Sequence, residues 1–588
     1  DLFQNADHKE TMITSNHAPS SRVQKTLKNL GVRLGKTEKG FVPPEKGAKG
    51  ITVKLSDIPG KAPRFSSAAI RRVCSKLVDA FNRKGLSGVY VSVSGKDIAP
   101  RTGKDRRSED RTLTLVVSVA RVGEVRTVAA GERIPDETKI NSRAHAWIRE
   151  SSPVQEGDPL WRSELKRYVY RLSRHPGRRA DVQISASEEA GRAQLDYRIA
   201  ESKPWTAYFQ LSNTGTEQTD EWRERFGLVH NQLTGHDDTL RVDYVTASFD
   251  EAHAVSTSYE FPIKRLCCDL RVYGSWNEFT ASEVGGADEG FEGESWQAGA
   301  EGAWNVFQHR QLFVDLLSGA RWQNIEVTNN LFNIRGYESF FLPYAGLELE
   351  RNTRRASTSA SIDVETNLHG AADTNTREIA SLGRLNTTKD WTAMHWNASH
   401  SFFVEPLIYG DSWKNPETPE TSTLAHELSF QFQGQKAFGD RLIPQSQGVI
   451  GGTYTVRGYP ESVVAGDDVA VARAEYRYHV PRAFKPTGGD GRTTLFGRPF
   501  QYAPRRVFGR PDWDLVLKAF FDWGRAENNY PTASEDDATL KSAGLGVELD
   551  LWRNLHLRCE WGHTLEALEG EGIQYGHDRV HVGATVLW

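Results

Sequence analysis

The chain of 588 residues carries 73 Lys and Arg against 77 Asp and Glu, a formal charge of −4. That balance gives no support to nucleic-acid binding, and no stretch approaches the roughly 18–20 continuous apolar residues of a membrane helix. A helical membrane protein is excluded, but a β-barrel is not, because a barrel hides its apolar surface in alternate residues and keeps a low mean hydropathy, here −0.56.

Asp1 opens the sequence without a signal-peptide pattern, so a mature secreted form and a chain that was never exported both stay open. Residues 1–50 are polar, with Val23, Leu27 and Leu30 at helical spacing inside Ser21–Leu34. They read as a short helix followed by a linker, or as a disordered tail. Residues 51–124 read as strand, helix, strand, strand. The helix over Ser66–Lys84 has one apolar face of Ile70, Val73, Cys74, Leu77, Val78 and Phe81, and Gly85 and Gly88 end it. Residues 125–203 repeat the theme: a strand at Val125–Ala130, helices at Asn141–Glu150 and Trp161–Ser173, and strands at Arg179–Ser187 and Ala193–Ala200. Two such units in succession predict a tandem module.

From Pro204 no long helical pattern appears again. About sixteen strand-like runs follow to Trp588, an even number, as closed single-chain barrels require. Ala543, Leu545, Val547, Leu549 and Leu551 share one face of a strand, with Glu548 and Asp550 on the other; Leu555, Leu557, Cys559 and Trp561 oppose His556, Arg558 and Glu560. An open sheet of that many long strands would expose aggregation-prone edges, so closure with a polar interior is expected. Short connections such as 264–265, 309–310, 353–354 and 553–554 alternate with longer polar ones such as 281–295, 329–339, 367–390 and 525–539. Connections 409–423 and 481–511 break that rule, the second being rich in Pro, Gly and Arg.

The four cysteines, Cys74, Cys267, Cys268 and Cys559, have no metal spacing and read as structural thiols without an assigned disulfide. The sequence has no Gly-x-Ser-x-Gly, no zinc spacing and no P-loop, so no cofactor, metal, nucleotide or enzymatic activity is expected. Between the eleventh and twelfth strands stands Gly451-Gly452-Thr453-Tyr454-Thr455-Val456-Arg457-Gly458-Tyr459-Pro460-Glu461-Ser462. Its Gly and Pro residues rule out a packed strand.

Two strand–helix–strand–strand modules ahead of a sixteen-strand barrel, with Val456-Arg457-Gly458-Tyr459 between strands eleven and twelve, resemble the superfamily of outer-membrane protein transporters and assembly factors whose periplasmic modules are called POTRA domains. In that superfamily the motif loop folds into the lumen. Its Arg meets an acidic residue of a Phe/Gly-x-Asp-x-Gly motif on strand thirteen, which Phe520, Asp522 and Gly524 match here. Strand parity puts Lys518 and Asp522 on the lumen face. Arg335-Gly336-Tyr337-Glu338 has similar letters, but about nine strands follow it rather than five. Glu475, Arg473 and Arg477 on strand twelve either line a wet lumen or, for Glu475, join Asp522 around Arg457.

The resemblance implies α+β POTRA modules followed by a transmembrane antiparallel β-barrel of about sixteen strands. Residues 1–50 are then an N-terminal helix and linker, 51–124 the first module, 125–203 the second, and 204–588 the barrel, with a lumen loop at 439–466. Two modules are similar to the two-partner secretion transporters, which implies a monomer in the outer membrane that exports an unfolded exoprotein client, with lipid around the barrel and no nucleic acid or nucleotide. A barrel-assembly factor of the same superfamily, a solute porin and a soluble enzyme are the alternatives.

Overall fold

Alternation decides the architecture. The computed structural model describes residues 13–15, 31–37, 40–43, 51–54 and 65–588, apart from 101, 108–112, 135–138, 190, 264–265, 282–290, 331–332, 373–378, 414–423, 487–491, 506–508 and 533–534. The described residues divide into two compact units, Asp1–Lys203 and Pro204–Trp588.

In the first unit, helix Ser67–Arg83 starts where the Ser66 hydroxyl accepts the Ala69 N–H at 3.1 Å. Its apolar stripe of Ile70, Val73, Cys74, Leu77 and Phe81 packs on Val91, Leu115 and Val117, and also on Val32, Leu34 and Phe41. The expected linker is therefore corrected: Gly31–Thr37 and Gly40–Val42 are strands that complete this core. Val32 and Leu34 alternate with exposed neighbours, a period of two that a helical reading ending at Leu34 overran. Val23, Leu27 and Leu30 lie outside the described residues.

The second core gathers Val122, Ile148, Leu160, Leu165, Tyr168, Val169, Leu195, Tyr197 and Ile199. Strand Arg121–Gly131 runs parallel to Arg192–Glu201, which pairs antiparallel with Arg178–Ala186. That strand starts at Arg121 and Val122 belongs to the second core, so a boundary at 124–125 cuts a strand. Leu115–Val119 and Arg121–Gly131 follow each other with no turn residues between them, which is why no break showed in the letters. Helix Asn141–Glu150 shortens to Ala146–Glu150, preceded by one 3₁₀ turn. Asn141 has a positive φ and its side chain accepts the Thr127 N–H, which holds it off the helix. At the end of this unit the buried Glu201 accepts from Arg133 at 2.6 Å and Arg178 at 2.8 Å, with His145 at 3.1 Å.

The second unit is one closed antiparallel barrel. Its strands are β1 Trp205–Ser212, β2 Arg223–Asn231, β3 Thr239–Ala247, β4 Ala252–Ile263, β5 Cys268–Ala281, β6 Phe291–His309, β7 Leu312–Asn329, β8 Ile334–Asn352, β9 Ala356–Thr366, β10 Thr392–Phe403, β11 His426–Lys436, β12 Asp468–His479, β13 Trp513–Glu527, β14 Ala538–Leu551, β15 Leu555–Thr564 and β16 Asp578–Leu587. β16 returns to β1, with Phe209 opposite Val586. Closure leaves no strand edge to pair with another chain. Leu517, Phe521, Leu545, Val547, Leu557 and Trp561 are exposed on the outer wall, whereas Lys518, Asp522, Glu548 and Glu560 are buried inside. Cys74 and Cys268 are buried, Cys267 and Cys559 exposed, and no disulfide joins any of the four.

The rim that carries Trp205 has the short turns between β6 and β7 and between β14 and β15. At the opposite rim β7 and β8 are longer than expected, so the predicted loop 329–339 shrinks to 330–333. Arg335-Gly336-Tyr337 lies within β8, and Arg335 pairs with Glu326 at 2.5 Å on the adjacent strand. The expected connection 409–423 widens to 404–425 and begins with two short helical turns, Glu405–Ile408 and Gly410–Trp413. The 481–511 connection contains a small hairpin, Arg492–Leu495 with Arg498–Gln501.

Candidate functional site

The connection between β11 and β12, residues 437–467, enters the barrel. A two-stranded neck, Gly448–Ile450 with Val464–Gly466, brings the chain in and out. Gly451, Gly452 and Gly458 take φ values of +112°, +89° and +93°, which side chains other than glycine rarely adopt. At Gly458 the reason is a close approach as well as a turn. A Cβ added at Gly562 of β15 would sit 2.6 Å from the Gly458 nitrogen and 2.8 Å from its Cα. The two backbones touch because neither residue has a side chain.

This contact seats Arg457, which is 1% exposed, against the inner wall. Its Nε donates to Asp522 Oδ2 at 2.7 Å and its Nη2 to Asp522 Oδ1 at 2.8 Å, the two-point geometry a guanidinium offers a carboxylate. The Arg457 backbone N–H donates to the same carboxylate at 3.2 Å. Nη1 donates to Glu475 at 2.8 Å and to Glu560 at 3.0 Å. The guanidinium carbon lies 3.4 Å from the centre of the Phe520 ring, a cation–π contact in a dry setting. The Phe520 ring has room because β14 carries Gly544, where a Cβ would come within 2.3 Å of it. Gly524 likewise leaves space for Val456, whose Cγ2 lies 2.7 Å from the place of an added Cβ. Tyr459 is buried, and its hydroxyl donates to the Glu566 carbonyl at 2.7 Å and the Lys541 carbonyl at 3.1 Å.

The wall around Arg457 is a charge lattice. Lys518 bonds Glu548 at 2.6 Å and also Glu560; Arg477 bonds Glu548 at 2.5 Å and Glu475 at 3.1 Å; Arg473 reaches Asp522 at 3.4 Å. With Glu427 at 3.5 Å from Arg477 and Arg558 at 4.0 Å from Glu560, Arg457, Arg473, Arg477, Lys518 and Arg558 face Glu427, Glu475, Asp522, Glu548 and Glu560, five cations against five carboxylates. Removing one member leaves its partners buried and uncompensated, at a cost of about 3–5 kcal/mol.

Sequence reasoning did not single out Glu560, Gly562 or His581 for this site. His581 accepts the Gly458 N–H at Nε2, 3.1 Å, and meets the Thr453 hydroxyl at Nδ1, 3.0 Å. Glu560 was readable as an inward residue from the parity of β15, and an isolated glycine inside a strand is itself a signal of close backbone approach. His581 left no such signal.

A second buried cluster lies at the opposite rim from Trp205, where three connections meet. Arg384, from 367–391, bonds Asp467 at 2.5 and 2.9 Å, Glu535 at 2.7 Å and the Leu442 carbonyl at 2.8 Å. Arg441 bonds Glu535 at 2.9 Å and the carbonyls of Leu385, Asn529 and Tyr530. Burial pushes the Glu535 carboxyl up, but the Thr532 N–H and the two arginines outweigh it and hold the group at about 2. The β11–β12 loop is therefore held at its tip by Asp522 and at its base by Arg384. Among the described residues no group of three or more His, Cys, Asp and Glu side chains forms a metal site.

Residues 191–330 match the family model described as "Haemolysin secretion/activation protein ShlB/FhaC/HecB". The heme/hemopexin transporter protein HuxB of Haemophilus influenzae is 20% identical over 379 residues, 63% of this chain and 61% of the relative. HuxB of strain 86-028NP is 24% identical over 140 residues, 24% of this chain and 23% of the relative. The chain thus spans between about a quarter and three fifths of the length of these curated relatives. Among solved structures, CdiB from Escherichia coli superposes with a TM-score of 0.63 at 14% identity, covering 90% of this chain and 85% of that one. CdiB from Acinetobacter baumannii does so with 0.57 at 14% identity, covering 91% and 84%. The chain is similar to the two-partner secretion transporters, its barrel is an outer-membrane β-barrel, and the modules before it are periplasmic.

Proposed function

We propose that this chain exports an unfolded exoprotein across the outer membrane, binding it with the periplasmic modules and passing it through the barrel, with the 439–466 loop as the gate. The observation that carries this reading is the fork from Arg457 to Asp522. A barrel of this strand number encloses an aqueous channel unless something fills it, and here a loop whose tip is pinned by a buried arginine enters it. Such a plug is wasted in a solute porin, and it is suited to a conduit that opens only for a client. The named relatives are a heme/hemopexin transporter and CdiB, consistent with a secreted partner.

The modules supply a means of recognition. Strand Arg178–Ala186 has a partner strand on one side only among the described residues. An extended client segment adds to such an edge through backbone hydrogen bonds, with side-chain pockets setting specificity. The roles follow: Val456, Arg457, Gly458 and Tyr459 form the plug, Phe520, Asp522 and Gly524 receive it, and Glu475 shares the arginine.

The test is co-expression of the chain with a candidate exoprotein in a host outer membrane. Wild type delivers the client to the medium, and Arg457→Ala, still folded and inserted, reduces delivery at least about tenfold, the scale of losing one buried charge-assisted pair. Full export by a correctly inserted Arg457→Ala protein sinks the gate reading. Insertion of other barrels without client export assigns the chain to assembly instead.

A further inference from the structure

The periplasmic connection between β12 and β13 is far longer than a turn there requires. Residues 480–512 contain seven Arg and Lys (482, 485, 492, 498, 505, 506 and 510) against two Asp (490 and 512), a formal charge of +5 inside a chain of −4. Its hairpin turns at Phe496 and Gly497, with φ of +50° and +77°. Such a turn favours Asn, Asp or Gly at both positions. A phenylalanine there is conformationally costly, yet its ring is 84% exposed. Turn geometry does not explain it.

The flanks of the hairpin continue the outer wall of the barrel. Trp513 opens β13 on the same face as Leu515, Leu517 and Phe521, of which Leu517 and Phe521 are exposed outer-wall residues. Tyr502 stacks on Trp513 at 5.3 Å, Phe484 stacks on Tyr502 at 5.4 Å, and the Trp513 indole N–H donates to the Tyr502 carbonyl at 2.9 Å. Phe500 meets Trp552 edge-on at 5.7 Å, with Phe496 beyond it at 6.3 Å. The apolar belt thus runs without interruption into the hairpin. Arg498 and Arg505 are exposed and make no ion pair among the described residues.

Aromatic rings at the edge of a lipid-facing wall, next to unpaired cations, match the headgroup zone of a membrane. Clustered Lys and Arg beside a membrane-spanning element are drawn to anionic lipid. We propose that the hairpin Arg492–Gln501 docks on anionic phospholipid of the periplasmic leaflet, with Phe496 entering the interface and Arg498 and Arg505 meeting lipid phosphates. The two other occupants of a basic, aromatic surface, an unfolded client and no partner at all, are outcomes of the test.

The full chain is reconstituted in nanodiscs of phosphatidylcholine alone or mixed with phosphatidylglycerol, and amide hydrogen exchange is followed in peptides covering 492–501. Exchange is expected to slow only in the discs with phosphatidylglycerol, while the turn 310–311 and the connection 330–333 stay unchanged. Arg498→Glu with Arg505→Glu abolishes the effect, lowering apparent lipid affinity by about tenfold or more, and Phe496→Ser weakens it. Heat-modifiable migration on gels confirms that each variant is a folded barrel. Equal exchange in the two kinds of disc overturns the proposal, as does protection that appears only when an unfolded client segment is added.

Discussion

At the scale of the residue, Arg457 matters through what is absent around it. The guanidinium reaches Asp522 because Gly458 and Gly562 let two backbones touch, and Phe520 lies under it because Gly544 leaves the ring room. Gly562→Ala therefore tests the seat without touching a charge. Its methyl would fall within 2.6–2.9 Å of backbone atoms of Gly458 and Arg457, and backbone cannot swing away as a flexible side chain does. Overpacking of this kind costs about 1–3 kcal/mol, enough to loosen the tip of the loop. Channel openings in planar bilayers are expected to become more frequent in Gly562→Ala. Gly583→Ala, whose methyl would meet nothing nearer than Arg558 at 3.7 Å, stays silent. A second residue-scale prediction concerns Glu201. Burial raises its carboxyl pKa, but the His145 hydrogen bond and the charges of Arg178 and Arg133 more than offset that and hold it well below the carboxylate range. A depressed folded pKa contributes stability that is full above the unfolded value and is lost as pH falls toward the folded one. Glu201→Gln should thus cost about 3–5 kcal/mol near neutrality. The gap to wild type, read from the urea midpoint of the periplasmic unit in the full chain, should narrow as pH falls below about 4.3.

At the scale of the element, strands were legible and loop partnerships were not. A strand that faces lipid on one side and a charged lumen on the other writes a period of two into its own residues, so β14, β15 and the inward Asp522 of β13 were readable locally. Short pieces lacked that advantage. Gly31–Thr37 carries only Val32 and Leu34 as its buried pair, and two residues do not outvote a helical spacing that ends on the same leucine. The extended β8 absorbed residues that read as loop, because Ile334 and Tyr337 are exposed while Gly336 and Glu338 are buried. The cluster of Arg384, Arg441, Asp467 and Glu535 was beyond reach for another reason. Its members come from three connections, and the two arginines meet Glu535 across 151 and 94 positions, with no periodicity to announce them. This cluster bears its own prediction. Arg384→Ala frees the base of the loop while the Arg457 fork stays intact, so it should raise basal conductance less than Arg457→Ala does. The double substitution should exceed the sum of the two, since each hold limits how far the loop moves when the other is lost. Strict additivity in the conductance assay would mean the two holds act on different motions.

At the scale of the whole molecule, the proposed export function leaves two routes, one in which a client passes beside the loop and one in which it takes its place. The ion-pair lattice around Arg457 is balanced, five cations against five carboxylates, so an entering chain meets no strong net charge there. It meets a loop fastened to that wall instead. Val456, Tyr459, Ile450, Val469, Val471 and Leu540 form a continuous apolar cluster between loop and wall, and a close-packed contact of this kind leaves no room between the two for an extended polypeptide. On the proposed export function, a client that uses this side of the lumen displaces the loop from its seat. A reversible covalent tether decides this. Val456 Cγ2 lies 2.7 Å from the place of a Cβ on Gly524, close enough for Val456→Cys with Gly524→Cys to form a disulfide. Of the native thiols, Cys267 and Cys559 are exposed and Cys74 and Cys268 are buried in other parts of the chain, so Cys267→Ser with Cys559→Ala gives a clean background. Oxidised, the tethered protein should insert normally and export no client. Reduction should restore export to the level of the two single variants. Undiminished export by the oxidised protein would show that the client threads past a loop that never moves, and the fork between Arg457 and Asp522 would then be a brace of the barrel wall.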